Sequence, residues 1–423
     1  LTVNFLGAAS TTIFNIEEAE KLASNLQTNV VLNGVTLYNE KNGNDNLDWL
    51  NVGQTRPDLH PGKVLEASMG FKNIALATGV TIADGRELAL VGNIAGTLSD
   101  SDFSSNLNKL LTSADNGGEI SVENGTFTLG TNGAAEPSVG WINSSAVTKE
   151  GNLNVKNGQF AIWNLANNGS VKIAANAALR VNNLEGAGTI DNQGQFLVKD
   201  YEGKAAAFEL NCAFSNSGAS SLLDASAVEN SSVNNYLLNE GKTIFKNLTV
   251  TDSLINEGTF TVAEGLNVEG DVDNAGTLSY RYAKAAKDAT MMNSGTETGE
   301  SLSLAFGAER TNKGSTSLLI FNIDEGASST TEVRATDMIT GNFKVEGTHV
   351  NKGTLNASGS TDVKGQLSNL ANATFNSLSL IQNGIYENKG TEFGENITLN
   401  EGTVYKSSGN SRWKYVTVRE ADL

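Results

Sequence analysis

The tripeptide Asn-x-Gly returns along this chain at nearly constant spacing, and that period constrains the fold more than any other feature. Asn167, Asn192, Asn216, Asn239, Asn256, Asn274, Asn293, Asn312, Asn351, Asn388 and Asn400 each open one. In the most regular stretch, Asn stands at 256, 274, 293, 312, 351, 369 and 388, with steps of 18, 19, 19, 39, 18 and 19 residues. The step of 39 reads as two turns, with Asp324-Glu-Gly326 as a displaced substitute for the missing one. Upstream the steps are 25, 24, 23 and 17. A period near 20 residues is the mark of a repeat architecture in which each unit is stabilised by its neighbours.

Each unit has its own pattern. An apolar pair separated by one residue precedes the Asn, as in Leu248-Thr-Val250, Leu266-Asn-Val268, Leu304-Ala-Phe306 and Phe343-Lys-Val345. Another apolar residue stands within two positions before the Asn: Leu254, Val272, Val350, Leu367 and Tyr386. Thr and an apolar residue follow the Gly, as in Thr259-Phe260, Thr277-Leu278 and Thr354-Leu355. Alternation of period two predicts short strands with one buried face. Asn and Gly are expected at the corners because they tolerate positive φ. A four-residue strand with one apolar face cannot stand alone, and about 19 residues is too short for a propeller blade. The pattern suits one coil of an all-β parallel β-helix (a β-solenoid) with about 19 to 25 residues per coil. Coils would stack about 4.8 Å apart, with apolar side chains in a continuous interior and Asn side chains bonded from corner to corner. Only three prolines occur, Pro57, Pro61 and Pro137, all outside the regular repeat, as an interior ladder requires.

The organisation read from this pattern is continuous. Residues 1–150 form an N-terminal cap and less regular coils, 151–403 the regular solenoid, and 404–423 a final strand segment that includes Trp413–Val418. Ile16–Leu26 reads as a short capping helix, since a bare terminal coil is a sticky edge. Ser99–Leu111 and Arg281–Met292 are helix-compatible excursions. Glu40–Lys63 reads as a polar loop.

Composition excludes several functions. The chain of 423 residues carries 29 Lys+Arg against 47 Asp+Glu, a net charge of −18. A chain this acidic lacks the basic face that nucleic acid requires. Cys212 is the single cysteine, so no disulfide framework exists. With His60 and His349 far apart, a Cys/His metal site is not expected either. No run of 18 apolar residues is present to span a membrane as a helix. Alternation places His349 outward on the solenoid surface and Cys212 inside.

Runs such as LINEGTFTVAEGLNVEGDVDNAGTL and VNKGTLNASGS resemble the passenger domains of bacterial autotransporters, the type V secreted proteins, and within them the self-associating adhesins. The resemblance covers roughly Asn152–Thr403. It implies a right-handed solenoid, secretion to the bacterial cell surface and anchoring in the outer membrane through a barrel domain. It also implies a role in aggregation, biofilm formation or attachment to host surfaces. The Gly-Asp-Ser-Gly motif of protease passengers is absent from this sequence.

Candidate sites were sought against this background. Inverting glycan hydrolysis needs two carboxylates across a cleft, but Asp271-x-Asp273 and Asp100-x-Asp102 would each share one strand face. Lyase chemistry would need a cation beside clustered Asp, and Arg281, Arg310 and Arg334 have no Asp cluster near them in sequence. Asn42-x-Asn44-x-Asn46-x-Asp48 alternates oxygen side chains, yet Leu47 stands where a calcium loop of the EF-hand type needs Gly. No catalytic, cofactor-binding or metal-binding residue is therefore assigned, and the chain reads as a non-enzyme. Two binding candidates remain. One is the polar loop around Asn46, Asp48 and Trp49. The other is the line of middle residues of Asn-x-Gly: Gln193, Ser217, Glu240, Glu257, Ala275, Ser294, Lys313, Lys352, Lys389 and Glu401. That line is acidic at Glu240 and Glu257 and basic from Lys313 through Lys352 to Lys389. Two copies laid antiparallel would set acid against base. The expected partner is therefore the chain itself on a neighbouring cell, with a host matrix protein or glycan as the alternative. A glycan-acting enzyme and a plain structural spacer are the remaining readings.

Overall fold

The computed structural model describes the strands between Val3 and Thr148 and, without interruption, residues 151–198 and 207–419. The chain divides into two compact units, Leu1–Val228 and Glu229–Leu423. Both are built from short parallel strands stacked coil upon coil, and among the described residues there is no helix. The fold is a β-solenoid with coils about 19 residues apart.

In the second unit one coil runs through Ser253–Asn256, a tight turn, the long strand Thr259–Val268 and a second turn to Asp271–Asn274 of the next coil. The long strand breaks register between Val262 and Gly265. It therefore covers two faces, and the coil has three. Burial alternates along each limb: Leu254, Phe260, Val262, Leu266 and Val268 point inward. The equivalent residues of the next coil, Val272, Leu278, Tyr280, Ala283 and Ala285, pair with them in register. Each buried large apolar side chain contributes about 1.5–3 kcal/mol. The period-two pattern thus becomes an interior column of stacked side chains at every position.

The first unit follows the same plan with wider coils. Asn152–Val155, Ser170–Ile173, Thr189–Asn192 and Ala213–Asn216 stack in register, and Gly158–Asn167 pairs along most of Ala177–Glu185. Extra residues go into turns. Between Asn216 and Leu222, Ser221 Oγ closes one by donating to the Gly218 carbonyl at 2.7 Å. Among the earlier strands pairing is also parallel, as between Glu87–Leu90 and Thr126–Leu129, with an antiparallel exception at Ile94↔Val139.

Several expectations change on this framework. Arg281–Met292 is not a helix: its residues belong to the strands Thr277–Ala285 and Thr290–Asn293, because stacking between ordered coils overrides local helix propensity. Within Glu40–Lys63, Leu50–Val52 forms a strand and Lys63 begins another. Ile16–Leu26 and Ser99–Leu111 lie outside the described residues. The final strand is present, as Asn410–Val418. His349 points inward, fully buried, while Val350 faces out. The inward position lies two residues before Asn351, and His349 occupies it. Phe306 is 62% exposed in a turn, since the inward pair of that coil is Leu302 and Leu304.

Candidate functional site

The Asn side chains form ladders through the interior corner. Asn256 Nδ2 donates to Asn274 Oδ1 at 2.6 Å and to the Thr277 carbonyl at 3.0 Å. Asn274 repeats this toward Asn293 at 2.7 Å and Thr296 at 3.0 Å, and Asn293 toward Asn312 at 2.9 Å and Ser315 at 3.2 Å. A second run links Asn351, Asn369 and Asn388 at 2.8 Å per step. Each amide thus satisfies its neighbour and a backbone carbonyl that would otherwise be orphaned at the bend. These Asn do not adopt positive φ, nor do the glycines that follow. The Gly is required by close approach instead. A Cβ on Gly276 would lie 2.1 Å from the Gly258 carbonyl oxygen, and one on Gly295 would lie 2.0 Å from that of Gly276.

This ladder fixes the edge proposed from the sequence. The turn residue after each Asn hydrogen-bonds to the preceding coil, so Glu257, Ala275, Ser294, Lys313, Glu332, Lys352, Leu370 and Lys389 follow one another in register. Glu240 opens the line, in the same turn position after Asn239. Two corrections follow. Glu401 belongs to the opposite turn, after the long strand, where Asn400 Nδ2 donates to the Leu380 carbonyl at 2.6 Å. Asp324-Glu-Gly326 also lies at that opposite turn; the coil without Asn has Thr331 at the ladder position, followed by Glu332. The basic half of the edge therefore contains an acid. Lys352 pairs with Glu332 at 2.9 Å and Lys389 with Glu387 at 3.2 Å, while Lys313 Nζ lies 3.6 Å from Met292 Sδ. In the first unit Gln193 and Ser217 occupy the turn position after their Asn. Asn46, Asp48 and Trp49 lie outside the described residues.

The interior holds something the sequence reading missed. The column containing Leu254, Val272 and Met291 continues with Arg310, Ser329 and His349. Facing it, the column of Phe260 and Leu278 continues with Glu297, Thr316 and Asp337. Arg310 Nη2 donates to Glu297 Oε2 at 2.8 Å, to Asp337 Oδ1 at 3.1 Å and to Thr316 Oγ1 at 2.6 Å. Its guanidinium lies 5.2 Å from the Phe321 ring centroid. Tyr280 donates its hydroxyl to Glu297 Oε1 at 2.7 Å, and Thr331 donates to Asp337. Where Thr331 interrupts the ladder, Asp337 takes over as acceptor for Asn312 Nδ2 at 2.9 Å. His349 stands edge-on to Phe343, 5.3 Å between centroids.

Burial alone would lower the Arg310 pKa and raise that of Asp337. The mutual charges and hydrogen bonds reverse both shifts, so both groups are held ionised. Burial pushes His349 down to about 4, with Asp337 opposing and Arg310 adding. Arg310 was set aside because no Asp lies near it in sequence; two coils bring Glu297 and Asp337 to it. Two carboxylates and a cation are a catalytic vocabulary, but all three side chains are sealed inside the solenoid. Asp271 and Asp273, by contrast, are exposed on one strand face.

A second buried carboxylate, Glu392, accepts from the Tyr405 and Ser411 hydroxyls and from Trp413 Nε1 at 3.0 Å. The two carboxylates share a local motif, Thr296-Glu-Thr-Gly-Glu300 and Thr391-Glu-Phe-Gly-Glu395. In each the Gly makes room for the aromatic donor: a Cβ on Gly299 would meet Tyr280 at 2.1 Å, and one on Gly394 would meet Trp413 at 2.0 Å. That recurrence was the available signal. Cys212 is buried as expected, and burial raises its thiol to about 11. Compared with known proteins, the chain matches no family model, no curated relative and no solved structure.

Proposed function

We propose that this chain is an adhesive passenger of the autotransporter type, displayed outside a bacterial cell and associating with further copies of itself through the edge of its solenoid. The observation that carries this reading is the in-register line from Glu240 to Lys389, exposed on turns that the Asn ladder holds rigid. Repetition of weak contacts along such a line adds up, although each exposed pair contributes only about 0–1 kcal/mol. Glu240 and Glu257 form no ion pair in the structure. They are the acids free to meet a second copy. Lys313 is the base that gives up least, because Lys352 and Lys389 must first leave Glu332 and Glu387.

Sedimentation velocity tests this. The weight-average mass of the native chain rises with protein concentration and falls at high salt. The variant Lys313→Glu, Lys352→Glu, Lys389→Glu stays monomeric at every concentration. A control with the same charge change elsewhere, Lys284→Glu, Lys344→Glu, Lys364→Glu, associates as the native chain does. Association that survives the first variant unchanged overturns the proposal.

A further inference from the structure

A groove crosses the outside of the second unit where the long strands bend. It has a volume of about 570 Å³ and is lined by Asn230, Asn247, Asn267, Thr249, Ser301, Ser303, Tyr282 and Lys284, among others. No carboxylate lines it. We propose that this groove binds a neutral oligosaccharide.

The volume falls in the range of about 300–1,000 Å³ typical of small-molecule sites. The chemistry of the walls then selects the ligand. A sugar ring presents an apolar C–H face ringed by hydroxyls, and it is recognised by an aromatic side chain together with amides and hydroxyls. Tyr282 is 47% exposed on the wall. Arg281 holds its ring from one side, 4.9 Å from the centroid, and is itself held by Glu300 at 2.8 Å. That aromatic surface is pre-organised, which lowers the entropic cost of binding. Asn247 is fixed by both ends of its amide. Its Nδ2 donates to the Glu229 carbonyl at 2.9 Å, and its Oδ1 accepts from Gly265 N at 3.0 Å. Ser231 also lines the groove; its hydroxyl is buried and has no hydrogen-bond partner in the protein. A buried hydroxyl without a partner is costly, and a ligand hydroxyl would satisfy it.

Other occupants fit less well. A phosphate or sulfate polymer needs several free cations. Lys284 is the cation of the lining, Arg281 is engaged by Glu300, and the whole chain carries −18. An extended peptide adds to an open sheet edge, but the strands lining the groove are paired on both sides with neighbouring coils.

The proposal rests on the groove alone, so a chain that never self-associates can still bind sugar. The full chain is titrated with cellohexaose, maltohexaose and chitohexaose, and with heparin and polygalacturonate oligomers as anionic probes. Saturation-transfer NMR and calorimetry read the binding. At least one neutral hexasaccharide binds. Tyr282→Ala and Asn267→Ala each weaken it by about tenfold or more, the loss expected for an anchoring contact, while Tyr415→Ala leaves it unchanged. Circular dichroism verifies that each variant keeps its strands; Asn267→Asp supplies a milder second change. Failure of every neutral probe to bind, binding by the anionic probes alone, or binding indifferent to both groove substitutions overturns the assignment.

Discussion

Asn293 shows how much one residue does here. It accepts from Asn274 and donates to Asn312 and to the Ser315 carbonyl, all in the interior. Asn293→Ala leaves those partners unmatched and should cost about 1–3 kcal/mol in urea unfolding. Asn293→Asp should cost more, because it sets a charged acceptor against the Asn312 oxygen. His349 gives a pH signature. It titrates at about 4 when folded and at about 6.5 when unfolded. The folded chain therefore binds fewer protons between those values. The stability this residue contributes is complete above about pH 6.5 and is lost as pH falls toward 4, at up to about 1.4 kcal/mol per pH unit. Asp337, whose pKa is lowered, extends the loss in the same direction at still lower pH. His349→Leu, which restores the residue type of Leu254 and Leu367 in that column, should flatten the decline between pH 6.5 and 4. An unchanged slope would assign the acid sensitivity to other groups.

At the scale of the coil, the charged cluster is the one place where the interior stops being interchangeable. Removing a single member of a buried ion network leaves an unpaired charge and costs about 3–5 kcal/mol. Arg310→Leu should lose that much, measured as the shift in denaturation midpoint. Replacing Arg310, Glu297 and Asp337 together by Leu should recover most of it. The triple variant should also lose uniqueness, visible as faster hydrogen exchange in strands Glu309–Asn312 and Thr336–Ile339. Much of this element was legible in the sequence. The apolar alternation gave the three faces, and the spacing gave the stacking and the Asn ladder. The cluster was not legible for a physical reason. Arg310, Glu297 and Asp337 lie 13 and 27 residues apart, and only the register of coils joins them. His349 was misplaced by reading Val350 as the inward residue, a slip of one position that reverses every face. Phe306 was misplaced because strand and turn carry the same alternation there.

At the scale of the whole molecule, net charge opposes the proposed pairing while the edge favours it. With −18 overall, copies repel at long range, whereas edge contacts act at short range. Salt near 0.1 M screens beyond about 10 Å. Association should therefore pass through a maximum as salt rises from a few millimolar to about 1 M. A monotonic fall from the lowest salt would mean that the global charge plays no part. The ladder has a further consequence, for how such a chain can change in length. Between Asn256 and Asn312 each coil presents the same amide donor, acceptor and glycine contact to the coils on both sides. A duplicated or deleted unit of 19 residues, such as that separating Asn274 from Asn293, meets its new neighbours on the old terms. From Glu297 to His349 no such exchange is neutral, because an inserted coil would part Arg310 from its carboxylates. Lineages that lengthen or shorten this protein should do so on either side of that stretch and leave it as an undivided block.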